Sequence, residues 1–424
     1  MYFSRTRSLS VVMASAFFAA ATIAQTTDKP DLTKQPTLYA VGYAHLDTEW
    51  RWEYPQVIDD YLFHTMHDNF TLFDKYPHYI FNFSGANRYR LMQEYFPSDF
   101  DRVEKYVAAG QWFPAGSSME EGDVNAPNAE AIIRQILYGN EWFRKTFNKS
   151  SEEFMLPDCF GFPASLPAIL AHSGVKGFST QKLTWGSSAE VGGPESLEET
   201  PEGTPFNVGV WVGPDGSRVL AAFNPGAYSG SITTDLSAPF PAQQPSVALA
   251  DVEKKLAALE TQLQSVPKGQ SPDRDALQQY FALREEQSAL NHQQELNQQL
   301  RFQGDWAARV LNNGKVTGLF ADYHYYGTGD IGGAPRKESV KRLEAIVTKG
   351  SVDIPPQGGM YFPGQHQDFP VVAVGNGPVR VISATADQMF KDITPTEAAA
   401  LPTYTGELEL TNHSAGSLTS QAYQ

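Results

Sequence analysis

A short apolar run, Thr37-Leu-Tyr-Ala-Val-Gly42, leads within three residues to His45-Leu-Asp47. Such a run reads as a buried strand. Side chains two apart in a strand share a face, so His45 and Asp47 arrive at its C-terminal end aimed at one object. A second run, Phe154-Met-Leu156, ends the same way in Pro157-Asp158, and a turn rich in Gly and Pro leads to a helical stretch at Leu166 to Leu170. Strands alternating with helices predict a parallel α/β sheet or barrel. Chemistry gathers at the C-terminal strand ends of such folds, which puts Asp158 on one rim with His45 and Asp47. An imidazole beside carboxylates is the start of a divalent-metal site of zinc type. From spacing alone, surface polarity for the His-x-Asp pair and a helix cap for Asp158 are the competing readings.

The chain has 424 residues, 41% hydrophobic and 12% aromatic, enough for a large core and one or two domains. A formal charge of -16 and a pI of about 5.0 argue against nucleic acid or an anionic membrane as partner. Residues 1–24 read as a signal peptide: Arg5 and Arg7 precede the apolar run Leu9 to Ala21, and Thr22-Ile-Ala24 precedes Gln25. That run is too short to span a membrane. Residues 25–36 read as a flexible leader. The single cysteine, Cys159, permits no internal disulfide, which suits an exported bacterial protein, periplasmic or secreted.

Further along, Val57, Tyr61, Leu62 and Met66 fall at helical spacing, with Pro55 in the first turn and His64 and His67 on a polar face. A strand is expected at 79–84, a helix through Tyr95, and a strand at Trp112 followed by the acidic loop Glu120-Glu-Gly-Asp123. A helix is expected over 128–147, capped by Asn128. The strand 177–185 places Lys182 and Trp185 on the rim, Lys182 being either a rim cation or a plain surface charge. Pro214-Asp-Gly216 marks a hairpin between 208–211 and 218–223. Residues 186–206 read as a loop, and 248–311 as two helical segments forming a surface αα-hairpin. The glycines around Asp330 let the backbone approach a ligand, which makes Asp330 a candidate general acid/base or an ordinary Gly-Asp turn. A helix at 337–348 and short strands at 371–374 and 379–382 follow.

Together these pieces resemble glycoside hydrolase family 38, the retaining α-mannosidases. The resemblance rests on Ala44-His-Leu-Asp-Thr-Glu-Trp-Arg-Trp52, Arg134-Gln-Ile-Leu-Tyr-Gly139, Leu156-Pro-Asp-Cys-Phe-Gly161, Thr180-Gln-Lys-Leu183, Gly327-Thr-Gly-Asp-Ile-Gly-Gly-Ala-Pro335, and Gly406-Glu-Leu408 through Ser420-Gln421, in the family's order. It implies an α/β fold, a (β/α)7-type barrel over 37–424 with a helical hairpin inserted at 248–311. It implies His45, Asp47 and Asp158 as metal ligands, Asp158 also as nucleophile, and Asp330, off the metal, as acid/base. Trp50, Lys182 and Tyr228 become substrate-side residues, zinc the metal with cobalt as competitor, and an α-mannoside glycan the substrate. The family's fourth ligand is a histidine in a His-Asp-x-x-Pro-Gly-type motif downstream of the Thr-Ser-Gln segment, while the sequence stops at Gln424. The chain is therefore expected to be the N-terminal portion of the catalytic unit, incomplete at its C-terminus. His413, upstream of that segment, is not taken as the ligand.

Two other readings compete. A metal-dependent carbohydrate deacetylase on a related barrel needs an Asp-Asp pair at a strand end and a His-x-x-x-His pair; Asp59-Asp60 falls inside an expected helix, and no such His pair occurs. A catalytically inert sugar-binding fragment is the third.

Overall fold

The computed structural model describes residues 29–184, 204–241, 246–267, 270–355 and 369–410. The expected signal peptide, Trp185, most of the expected loop at 186–206 and the tail with His413 lie outside them. In chain order the strands are β1 (Thr37–Ala44), β2 (Phe81–Ser84), β3 (Trp112–Ala115), β4 (Glu153–Met155), β5 (Gly177–Ser179), β6 (Val208–Val212), β7 (Arg218–Ala222), β8 (Ala321–Thr328), β9 (Ser351–Asp353), β10 (Val371–Ala373), β11 (Arg380–Ser383) and β12 (Thr403–Thr405).

Every residue of β1 is buried, as its unbroken apolar sequence requires of a parallel strand covered on both faces. It pairs with β8 along its whole length, Thr37 opposite Ala321 and Ala44 opposite Thr328. Its other edge is shared by β11 and β2, and β3 continues the parallel sheet beyond β2. The second sheet runs β12-β6-β7-β5-β4, with β4, β5 and β7 parallel and β6 returning antiparallel through the expected hairpin. Tyr39, Val41, Tyr43, Tyr323 and Tyr325 of the first sheet share one buried core with Val208, Val210, Leu220 and Ala222 of the second. Helices cover the outer faces, with Leu62, Met66 and Phe70 on the first sheet and Leu166 and Leu170 on the second.

The α/β class with a parallel central sheet is as expected. Among the described residues, however, the hydrogen-bonded ladders stay within each sheet, and they do not close a barrel. The free edge of β8 is instead satisfied by the segment after β7, through Tyr325 N–H to Pro225 O (2.7 Å) and Gly327 N–H to Gly230 O (2.9 Å).

Local signals account for most helices. Asn128 caps Ala129–Phe147 by accepting from the Ala131 N–H, and the expected hairpin forms from Val247–Gln264 and Arg274–Gly304, joined by Arg284 to Glu260 at 3.0 Å. The helix over Pro97–Ala109 and the strand β8 were not anticipated. β8 carries Asp322 and His324, whose polarity masks a buried strand. Asp322 is neutralised by the equally buried Arg309 at 2.9 Å, and His324 stacks on Trp306 with ring centroids 3.8 Å apart. The strand expected over 177–185 stops at Ser179, the end of β5, and Lys182–Thr184 form a single tight helical turn.

Where β3 of one sheet meets β4 of the other, Glu153 is fully buried. Its Oε1 accepts the Gly116 N–H at 3.0 Å, and its Oε2 bonds the Ser151 hydroxyl. Burial, then the like charge of Asp387, push its carboxyl up to about 8. The unfolded chain ionises near the usual 4.5, so between those values the native state binds more protons than the unfolded one. Stability then falls as pH rises through that window. Glu153→Gln keeps both hydrogen-bonding ends without a charge. It is expected to melt above the wild type at pH 8 by roughly a few degrees, with a free-energy ceiling on the order of 3–5 kcal/mol, and the gap should vanish by about pH 4.5. Equal melting curves at pH 8 would show that Glu153 is not held neutral.

Candidate active site

The ladder between β1 and β8 does not end with the strands. His45 N–H bonds Thr328 O at 3.0 Å, Asp47 N–H bonds Asp330 O at 2.9 Å, and Gly332 N–H bonds His45 O at 2.8 Å. These bonds staple the turn carrying His45 and Asp47 to the turn carrying Asp330. Asp330 itself has φ +69°, a left-handed conformation that is strained for a residue with a Cβ and is characteristic of functional turns. Gly329 precedes it because a Cβ there would lie 2.0 Å from the Tyr228 ring. The ring can thus lie against the backbone and donate its hydroxyl to Asp330 Oδ1 at 2.8 Å.

One ligand atom each from His45, Asp47 and Asp330 fall within 4.8 Å of one another. Asp158, on the turn after β4, presents Oδ2 to His45 Nε2 at 3.7 Å, while its Oδ1 meets Lys182 Nζ at 2.6 Å. The sequence reading brought these groups to one rim, and the folded chain brings them together. Asp330, expected off the metal, packs as close to His45 and Asp47 as a ligand does. Lys182 is no surface charge: it is 2% exposed and lies 4.7 Å above the Phe160 ring. Trp50 is half exposed, stacked by Arg51 at 4.1 Å. Neighbouring Trp52 ties the turn down by donating to Asp47 O at 2.9 Å.

The surroundings of His45 were not legible beforehand. Its ring packs 4.9 Å from that of Tyr228, and its Nδ1 lies 2.9 Å from Oε2 of Glu121, a residue on the loop after β3. Glu121 is paired with buried Arg88 and bonded by the hydroxyls of Tyr43 and Ser84. Burial works against both charges. For His45, Glu121, Asp47 and Asp158 outweigh it and push the imidazole up to about 10. For Glu121, Arg88 and His45 outweigh it and hold the carboxyl down to about 2. Burial first, then the carboxylates of Asp158 and Asp330, push the Tyr228 phenol far up, so its hydroxyl remains a neutral donor.

The donor set fits a zinc-type ion. Among the described residues His45 Nε2 is buried without a hydrogen-bond partner, and it faces Asp47 Oδ1 at 3.4 Å and Asp158 Oδ2 at 3.7 Å. An imidazole nitrogen flanked by carboxylate oxygens is a borderline N/O set that suits zinc or cobalt, the tightest group among the described residues being His45, Asp47 and Asp330. The helical histidines take no part: His64 pairs with Asp60 at 3.3 Å and His67 with Asp99 at 3.0 Å. Asp59 and Asp60 lie inside the π-type segment Val57–Leu62 rather than at a strand end, which removes the constellation a deacetylase needs.

Known proteins supply an independent comparison. A model of the glycosyl hydrolases family 38 N-terminal domain matches residues 35–354. Alpha-mannosidase G of Dictyostelium discoideum is 36% identical over 191 residues, 45% of this chain and 16% of that protein. Alpha-mannosidase 2C1 of Homo sapiens is 34% identical over 196 residues, 46% of this chain and 18% of that protein. The chain thus matches under a fifth of the length of these relatives. The crystal structure of an alpha-mannosidase from Enterococcus faecalis V583 shares the fold at a TM-score of 0.51 and 14% identity, over 88% of this chain and 31% of that one. The family match covers well over half of the sequence and runs through β1 to β9, so the chain belongs to glycosyl hydrolase family 38, as a bearer of its N-terminal domain.

Proposed function

We propose that this chain supplies the catalytic centre of a metal-dependent, retaining α-mannosidase that removes terminal α-D-mannosyl residues from glycans. The observation that carries the reading is the unpartnered, buried Nε2 of His45 facing Asp47 and Asp158, with Asp330 beside them on the neighbouring turn. The shared core of the two sheets and the bonds from β8 to the segment after β7 support a barrel of the (β/α)7 type. Export through residues 1–24 is part of the same reading.

A zinc or cobalt ion held by His45, Asp47 and Asp158 would act as a Lewis acid toward the sugar's hydroxyls. The chain's own groups do the rest. Asp158 attacks the anomeric carbon and carries the glycosyl group as a covalent ester, and Lys182, 2.6 Å from its Oδ1, holds the carboxylate in place. Asp330 gives its proton to the departing oxygen, then takes one from the water that releases the sugar; the Tyr228 hydroxyl holds its Oδ1 in place. Trp50 offers an apolar face to the ring.

The test is hydrolysis of 4-nitrophenyl α-D-mannoside followed by proton NMR. α-Mannose is expected as the first product, with no turnover of the β-mannoside, loss of activity on chelation, and recovery with zinc or cobalt. β-Mannose as first product would exclude retention, and chelator-resistant turnover would exclude the metal.

A further inference from the structure

The proposed metal site leaves one strong arrangement unused. Glu121 is 3% exposed at its side chain, and its Oε1 is fully engaged by the hydroxyls of Tyr43 and Ser84, with Arg88 Nη1 at 3.4 Å. Among the described residues its Oε2 has no other partner, and it stands 2.9 Å from His45 Nδ1, short of an in-line hydrogen bond. Arg88 in turn donates to the Leu46 carbonyl, between His45 and Asp47. The Glu121–Arg88 pair therefore grips the His45-Leu46-Asp47 turn at one side chain and at its backbone.

We infer that Glu121 is a positioning residue for metal capture: it takes the Nδ1–H of His45, so that Nε2 is the nitrogen the ion takes, with the ring plane fixed. Only one nitrogen of a neutral imidazole carries the proton, and the acceptor at one nitrogen decides that the other is the ligand. A carboxylate acceptor also raises the donor strength of the ligating nitrogen, and losing such a partner typically costs about 10- to 100-fold in metal affinity. Among the described residues nothing else within reach of Nδ1 serves as well, since the Tyr43 hydroxyl stands at 3.4 Å and is committed to Glu121.

The inference rests on the proposed metal site, and the experiment separates the two. Metal-stripped wild type, Glu121→Gln, Glu121→Asp and His45→Ala are titrated with CoCl2, reading the visible absorption of bound cobalt, beside apo circular dichroism and melting. Glu121→Gln keeps the shape and loses the charge. Glu121→Asp keeps the charge Arg88 needs but draws the carboxylate back by about one carbon–carbon bond, roughly 1.5 Å. Both are expected to bind cobalt about 10- to 100-fold more weakly than wild type, with a displaced absorption band. The aspartate variant is read alone should the glutamine variant not fold. Wild-type cobalt affinity in the variants, with only the apo melting temperature lowered, would make Glu121 a counter-ion for Arg88 and overturn the inference. A His45→Ala protein that binds as tightly as wild type would instead overturn the metal site itself.

Discussion

Replacing Asp158 with asparagine is expected to cut turnover of 4-nitrophenyl α-mannoside by about 10⁴-fold or more, the scale seen when a covalent nucleophile is removed, while leaving the fold intact. The structure explains both halves of that expectation. Asp158 sits on a turn after β4 with its side chain 19% exposed, so an isosteric amide there leaves no cavity. Its two oxygens have separate tasks: Oδ1 is held by Lys182 at 2.6 Å, and Oδ2 points toward His45 Nε2 at 3.7 Å. An amide can still accept from Lys182, but it cannot form the glycosyl ester, and it is a poor metal ligand. Asp158→Ala with added azide distinguishes these losses. On an activated substrate such as 2,4-dinitrophenyl α-mannoside, azide entering the space left by the carboxylate should give the β-mannosyl azide, the inverted product. Turnover in the asparagine variant within tenfold of wild type, with unchanged melting, would remove Asp158 from the chemistry.

The strand ends that carry His45, Asp47 and Asp158 were legible in the sequence because two physical rules act there without ambiguity. Period two in a strand puts His45 and Asp47 on one face, and parallel strands put the end of β4 near the end of β1. The capped helix at 129–147 and the Asp-Gly hairpin were legible for similar local reasons. What failed was anything decided by tertiary neutralisation. β8 carries Asp322 and His324 into the core, which Arg309 and Trp306, contributed by a helix earlier in the chain, help make tolerable. Lys182 looked like a choice between rim and surface until Asp158 and Phe160 closed over it. Glu121 stood in a run of three acids with nothing local to single it out. Its partners Tyr43, Ser84 and Arg88 come from two other segments, so the spacing of Glu120-Glu-Gly-Asp123 held no signal that one of them was buried.

Asp330→Ala should behave differently from the Asp158 variants, and that difference tests the division of labour between the two carboxyls. A general acid contributes about 10²- to 10⁴-fold where the leaving group needs a proton. Loss of that order is expected on 4-methylumbelliferyl and alkyl α-mannosides, whereas 2,4-dinitrophenyl α-mannoside, whose leaving group departs as a stable anion, should still mannosylate Asp158. Release then becomes slow, since no base activates the water. A burst of dinitrophenolate followed by a slow steady state is the expected trace, and azide should restore the steady rate by giving the α-mannosyl azide, the retained product. The geometry adds a second arm. The Tyr228 hydroxyl holds Asp330 Oδ1 at 2.8 Å, and the strained φ of +69° aims the side chain back toward His45 and Asp47. Tyr228→Phe leaves the carboxyl present but loosely held, so it should lose about tenfold on poor leaving groups, from one hydrogen bond worth about 1–1.5 kcal/mol, and little on the dinitrophenyl substrate. Equal losses on good and poor leaving groups in Asp330→Ala, with no response to azide, would place Asp330 among the metal ligands instead of at the departing oxygen.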